Sequence, residues 1–416
     1  MKGMVLVCLW AAAAAAVFAP GAGASPAVRY GIQDDAWLTY GPGTLDQRLA
    51  ILDGLGVDVV RFTLHWDQLE PRRGTFRWTN ADAVLRGLQA RRIQPVVTVY
   101  GSPRWANGGR SANVAPRSGP TFAAFVRTAA RRYTFVRYWT IWNEPNQRAS
   151  LLPASPRVYV RTLLNPGYAA IHSVLRAAKV AGGVTAPRGN AGGVSPLAWV
   201  KGMRAAHARL DAYAHHPYPS RPGAESPSRG ACASCAVITM ANLQRLSTLV
   251  RKSFGPKPIW LTEYAYQTNP PDHFLGVSRS LQARYIGEAA YRVYALPQVE
   301  MLVHFLVRDE PNVARWQSGL FDLHGVAKPA ASAFPLPLAQ VSRTGAFVRL
   351  WGQVRPGGGA QGFRLQVARG GRFLASLKTG RTSGRGFFST TVRATRGSLI
   401  RLCTSSGKCG WPIVVR

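Results

Sequence analysis

Between residues 29 and 334, short apolar runs alternate with segments whose apolar positions recur every three or four residues. Runs at 29–34, 58–65, 93–100, 138–142, 180–186, 210–215, 258–262 and 299–307 are rich in β-branched and aromatic residues and read as strands. Segments at 44–55, 80–90, 121–132, 168–179, 196–208, 240–254 and 278–295 have helical spacing, with Leu45, Leu49, Leu52 and Leu55 on one face of the first. Strands and helices in strict alternation predict parallel strands joined by helical crossovers. Eight strands over about 310 residues predict a (β/α)8 (TIM) barrel. An open doubly wound sheet would need a glycine-rich phosphate loop after the first strand, and Asp34-Asp35-Ala36-Trp37 is nothing like one.

The pattern changes after Phe334. Pro335-Leu336-Pro337 is a stiff linker. Beyond it, Val348, Leu350 and Val354 alternate with Arg349, Trp351 and Gln353, and Phe363, Leu365 and Val367 alternate with Arg364 and Gln366. Period-two alternation between glycine-rich turns predicts a small antiparallel, sandwich-like all-β domain over 335–416. The pattern points Trp351 and Trp411 outward, where they suggest contact with a glycan, and the domain would either bind glycan or only brace the barrel.

The start of the chain stands apart from both. Lys2 is followed by an alanine-dominated apolar run over 4–18, and Ala22-Gly23-Ala24 precedes Ser25. That is the pattern of a secretory signal peptide over 1–24, ahead of a barrel over 25–334. The run is short for a membrane span, and no later stretch reaches eighteen apolar residues, so stable membrane insertion is not expected. Cleavage would remove Cys8 and leave four cysteines. In an exported chain these suggest two disulfides, preferably the local pairs Cys232–Cys235 and Cys403–Cys409. The C-x-x-C also admits redox or zinc readings, which lack a thioredoxin-like surround and a matching histidine pair.

The formal charge is +34, spread as scattered arginines. Either this is a solvated basic surface, or it draws the protein to anionic glycans or a cell wall. No nucleic-acid-binding module is recognisable and the chain reads as exported, so nucleic acid is not the expected partner.

Reactive groups in such barrels sit at the C-terminal ends of strands. The fourth strand ends Ile141-Trp142-Asn143-Glu144-Pro145, and the seventh ends Trp260-Leu261-Thr262-Glu263-Tyr264. The chain has only 18 acidic residues, so a lone Glu at each of two strand ends is conspicuous. Strands four and seven face one another across the mouth. Two facing carboxylates are what glycoside cleavage needs: one protonated to donate, one ionised to attack or to direct water.

These segments resemble the clan A glycoside hydrolases, closest to family 39 and family 5-like enzymes, over nearly the whole barrel from Tyr30 to Phe334. Trp66-Asp67-Gln68-Leu69-Glu70-Pro71 with Gly74 and Phe76 resembles a stretch after strand two, the turn at 100–105 one after strand three, and 319–328 a closing segment. The resemblance implies a retaining double displacement on β-glycosidic bonds of an oligo- or polysaccharide, without cofactor or metal. Glu144 would be the general acid/base and Glu263 the nucleophile. Asn143 would bind the sugar 2-hydroxyl, and Arg61 would hold the nucleophile's charge. His216 and Tyr218 would touch substrate or nucleophile. Trp105, Trp66 and Trp316 are candidate sugar platforms. Strand eight lacks the tryptophan often found there, and Trp316 or His304 would stand in for it. The rival reading is a barrel that binds carbohydrate or cell wall without turnover.

Overall fold

The computed structural model describes Ser25 and residues 27–416. The expected signal peptide, with Cys8, lies outside the described residues. Eight parallel strands form a closed barrel: β1 (Arg29–Gln33), β2 (Val59–His65), β3 (Gln94–Tyr100), β4 (Tyr138–Ile141), β5 (Lys179–Thr185), β6 (Ala212–His215), β7 (Ile259–Tyr264) and β8 (Val299–Phe305). The ring closes where β1 pairs with both β2 and β8. The main helices that follow the strands are α1 (Leu45–Leu55), α2 (Thr79–Ala90), α3 (Gly119–Arg132), α4 (Asn165–His172), α5 (Pro196–Ala205), α6 (Gln244–Phe254), α7 (Arg279–Tyr294) and α8 (Pro329–Ala333).

The sequence sets these boundaries by local chemistry. At α1, Thr44 Oγ1 accepts from Gln47 N–H while the Gln47 side chain accepts from Thr44 N–H. This capping box satisfies two otherwise orphaned donors. Gly56, at φ 66°, ends the helix in a left-handed conformation that glycine adopts without a Cβ clash. Ser118, Ser195 and Ser278 cap α3, α5 and α7 in the same way from their hydroxyls.

Successive strand residues face opposite sides of the barrel wall. Outward residues meet the helices in the main core, where Trp66, Trp139, Trp142 and Trp199 are fully buried. Inward residues fill the barrel in layers. Its floor is apolar: Val59, Val96, Tyr138, Ala181, Ala212, Trp260 and Met301. Two residues further along β2, β3 and β4, the inward positions become Arg61, Thr98 and Thr140, all buried. The polarity of the interior therefore rises toward the mouth.

The C-terminal region forms two antiparallel sheets. One is ordered β9 (Leu338–Thr344), β10 (Phe347–Gln353), β13 (Phe387–Arg393). The other runs β12 (Arg372–Arg381), β11 (Gly362–Arg369), β14 (Leu399–Thr404), β15 (Ile413–Val414). Leu350, Leu365, Phe363, Phe388, Ile400 and Leu402 fill the space between them. The Sγ atoms of Cys403 and Cys409 lie at disulfide-bonding distance. Cys232 and Cys235 are free thiols, contrary to the preferred pairing. Their turn is held by other means: Cys235 N–H donates to Cys232 Sγ, and Asn242 and Arg245 donate to the two cysteine carbonyls.

Trp351 also departs from expectation. It does point away from the core between the sheets, but α7 covers that face. Its ring lies against Tyr291, Tyr294 and Phe387, and it is 1% exposed. It joins the β region to the barrel and is not available to a glycan. Trp411 keeps 37% of its surface exposed. Nearby, the buried Arg355 guanidinium sits 3.9 Å from the Tyr30 ring centre and donates to Phe334 O. Arg385 donates to Val28 O and Lys408 to Gly54 O. Val28 precedes β1 and Gly54 lies in the last turn of α1, so the β region grips the base of the barrel, opposite the mouth.

Candidate active site

Two irregularities in the wall shape the mouth. Opposite Leu302 and His304 of β8, β7 places Leu261 and Tyr264, one residue more than a regular ladder allows. Strict alternation from the inward Trp260 would turn Glu263 outward. The bulge at Thr262–Glu263 re-aims it into the mouth. A second bulge in β5 lies between Gly182 and Thr185. Val184 there has φ 45°, a costly value for a β-branched residue, and its carbonyl accepts from Glu144 N–H at 2.9 Å. Trp142 and Glu144 themselves have φ 70° and 42°. Strain of this kind gathers where side-chain placement matters most.

Glu263 is the most constrained group. Arg61 pairs with its Oε1, and Tyr218 OH donates to its Oε2 at 3.1 Å. Burial pushes the Glu263 carboxyl up, but His216 and the Arg61 guanidinium outweigh it and hold the carboxyl below the usual carboxylate range. Arg61 is itself fixed on every side. Its Nε donates to Thr98 Oγ1 at 2.8 Å, Nη1 to Gln33 Oε1 at 2.5 Å, and Nη2 to Asn143 Oδ1 at 2.7 Å.

Glu144 stands opposite. His216 Nδ1 lies 3.0 Å from Glu144 Oε1 and 3.6 Å from Glu263 Oε2. Its Nε2 is 3.0 Å from Thr262 Oγ1, a hydroxyl that can donate or accept, so the ring can meet Glu144 in either protonation state. Ligand-type atoms of Glu144, His216 and Glu263 lie within 4.8 Å of one another. A cation among them would face the Arg61 guanidinium already paired with Glu263, so the donor set is ill suited to a metal. The Glu144 loop is also anchored: Asn146 Nδ2 donates to Arg188 O and Val194 O, and Asn146 Oδ1 accepts from Ala186 N–H.

A cleft of about 840 Å³ opens over these groups. Of the residues expected at the site, Glu144, Glu263, Asn143, Tyr218 and Trp316 line it. Arg61 and His216 lie just beneath. The Trp316 ring is 4.6 Å from that of Tyr218. Two tryptophans fall elsewhere. Trp66 is fully buried against Phe125, and its Nε1 donates to the buried Glu70. Trp105 packs edge-on against Trp66 and donates to Glu70 O. The Trp-Asp-Gln-Leu-Glu-Pro motif is thus a structural knot, in which Glu70 also accepts from Gly74 N–H. His304 turns away from the cleft and bonds Ser318 O, which leaves Trp316 in the place of a strand-eight tryptophan.

Sequence reasoning passed over Gln33, Thr98 and Thr262, which fix Arg61 and His216. They are polar residues at inward positions of strands, a signal that alternation offers. It also passed over Asp34, whose carboxylate accepts from Trp37, Val307 and Arg308 N–H and ties the end of β1 to the end of β8. Burial pushes the Asp34 carboxyl up to about 7.

No protein-family model and no curated protein sequence matches the chain. Solved structures do. A family 39 glycoside hydrolase from Bacteroides cellulosilyticus WH2 aligns over 89% of this chain and 81% of its own, with TM-score 0.62 and 15% identity. A glucosidase from Croceicoccus marinus aligns over 92% and 96%, with TM-score 0.60 and 12% identity. The GH5_18 protein from Streptomyces cattleya, solved with GlcNAc, aligns over 75% and 79%, with TM-score 0.57 and 18% identity. At such identities the likeness is one of fold.

Proposed function

We propose that this chain is an exported retaining glycoside hydrolase acting on β-glycosidic bonds, with Glu263 as nucleophile and Glu144 as general acid/base. The observation that carries the reading is the carboxylate pair. One oxygen of each lies within 4.8 Å of the other across the mouth. Retaining enzymes keep their carboxyls about 5–5.5 Å apart, whereas inverting ones leave about 6.5–9.5 Å for a water. The fold shared with known glycoside hydrolases supports the same reading.

The chemistry follows from the environments. Glu263, held ionised by Arg61 and His216, attacks the anomeric carbon. Glu144 gives its proton to the glycosidic oxygen as that bond breaks, and the leaving sugar departs as an alcohol. The resulting glycosyl ester removes the charge from Glu263. Water then attacks the anomeric carbon while Glu144 takes its proton, and the ester bond breaks to restore both carboxyls. Asn143, an amide, binds a sugar hydroxyl beside the acid without adding charge. Trp316 offers a flat face to the sugar ring.

The charge of the cleft bears on the substrate. The molecule is strongly basic, yet the lining of the cleft includes Asp35, Glu144, Glu263 and Glu310 beside Arg188 and Arg315. A polyuronide would meet carboxylates there. The lining suits a neutral glycan, whose hydroxyls can donate to them.

The test is hydrolysis of a panel of aryl β-glycosides by the mature protein, beside Glu144→Ala and Glu263→Ala with azide. Activity lost in both variants, with azide rescue giving opposite anomers, is the expected result. A wild type that binds glycans but turns over none would replace this reading with a binding barrel.

A further inference from the structure

The carboxylates stand at the ends of β4 and β7. Around the ring, β5 and β6 lie between them on one side, and β8, β1, β2 and β3 on the other. A sugar chain threading between Glu144 and Glu263 therefore passes over the β5 and β6 loops at one end and over β1 and β2 at the other. That second end of the cleft borders another space. A further cavity of about 730 Å³ adjoins it, with Asp35, Ala36, Thr63 and His65 forming a wall common to both. Each space is ample for a ligand.

The outer cavity is lined by groups that suit a sugar. Tyr40, at the end of the short helix Asp35–Tyr40, is 76% exposed, far more than is usual for so large an aromatic. Its hydroxyl accepts from Asn80 Nδ2 at 3.3 Å, which steadies the ring. Gln68, Arg77 and Asn80 add polar side chains to the lining. An aromatic face beside polar side chains matches the two surfaces of a pyranose: its apolar C–H face and its rim of hydroxyls.

We infer that this outer cavity is a distal sugar subsite, so that the substrate is an extended oligo- or polysaccharide held on both sides of the scissile bond. The inference rests on the hydrolase reading of the adjoining cleft and argues for an open groove over a pocket for terminal residues. Tyr40 is the stacking platform.

The experiment uses β-1,4-linked gluco-, manno- and xylo-oligosaccharides from two to six sugars. For wild type, kcat/KM should rise at least tenfold from the disaccharide to the tetrasaccharide and beyond. In Tyr40→Ala that advantage should shrink by about tenfold, the worth of one well-stacked aromatic contact. A kcat/KM independent of length, or a length dependence unaltered in Tyr40→Ala, overturns the inference while leaving the hydrolase reading intact. Titration of Glu263→Ala with the same series separates the two failures. If wild type cleaves nothing, yet tetrasaccharide binds more tightly than disaccharide and Tyr40→Ala abolishes the difference, the groove stands and the hydrolase reading falls. If nothing binds, both fall.

Discussion

Arg61 Nη2 donates to Asn143 Oδ1 at 2.7 Å, while another nitrogen of the same guanidinium pairs with Glu263. One cation thus sets the orientation of two groups that belong to different strands. With its oxygen committed to Arg61, Asn143 presents Nδ2, a donor, to the cleft.

Asn143→Asp removes that donor and places a charge where Arg61 must now choose between two carboxylates. Steady-state kinetics should show kcat/KM reduced by about 10²-fold or more, the usual cost of a lost donor at a charge-developing centre. The urea midpoint should move little. A loss below tenfold would mean that Nδ2 makes no bond that strengthens in the transition state.

Arg61→Gln should act on pH dependence. Glu263 is buried, and His216 and Arg61 hold its carboxyl below the usual 4.5. A carboxyl depressed on folding contributes stability that is present above its unfolded pKa and lost as pH falls through its folded one. Without Arg61, burial is opposed by less charge, and the carboxyl rises. The acid limb of the kcat/KM profile should shift upward by a unit or more, and stability at neutral pH should drop by about 3–5 kcal/mol because a buried charge loses its partner. An unmoved acid limb would show that His216 alone keeps Glu263 ionised.

Asp34 predicts the opposite slope. Its carboxyl rises from 3.8 to about 7 on burial. The folded state then holds its proton more tightly than the unfolded chain, so stability is greatest below about pH 4 and is lost as pH climbs toward 7. Asp34→Asn keeps an acceptor oxygen and cannot ionise. Urea melts at several pH values should show the decline between pH 4 and 7 in wild type and a flatter curve in Asp34→Asn. Parallel curves would mean that the three N–H donors outweigh burial.

Trp351→Ala tests the seam between the β region and the barrel. Removing a fully buried tryptophan costs about 3–5 kcal/mol. Trp351 lies at the base, far from the mouth, so kcat/KM at 25 °C should hold while the thermal transition falls. A change under about 1 kcal/mol would show the two regions merely resting on each other.

The barrel was legible because parallel strands buried on both faces write themselves as apolar runs. Glu144 and Glu263 were legible as lone acids after such runs. What escaped notice depends on the third dimension. Strict alternation turns Glu263 outward, and only a bulge returns it. Trp66, Trp105 and Trp351 carry the same residue type as Trp316, and nothing local distinguishes a platform from a core anchor. Trp351 obeys its alternation, but the helix that covers it comes from elsewhere in the chain. The bonds among Gln33, Arg61, Thr98 and Asn143 cross four strands, a relation no window of sequence contains.

The grip of the β region on the barrel's base has a consequence for biogenesis. Arg355, Arg385 and Lys408 follow all eight barrel strands in the chain, yet they close against Tyr30, Val28 and Gly54, which lie at and beside the first of them. A growing chain therefore has all eight barrel strands in hand while the underside remains uncovered. The base is closed only once the strands that begin at Leu338 have followed.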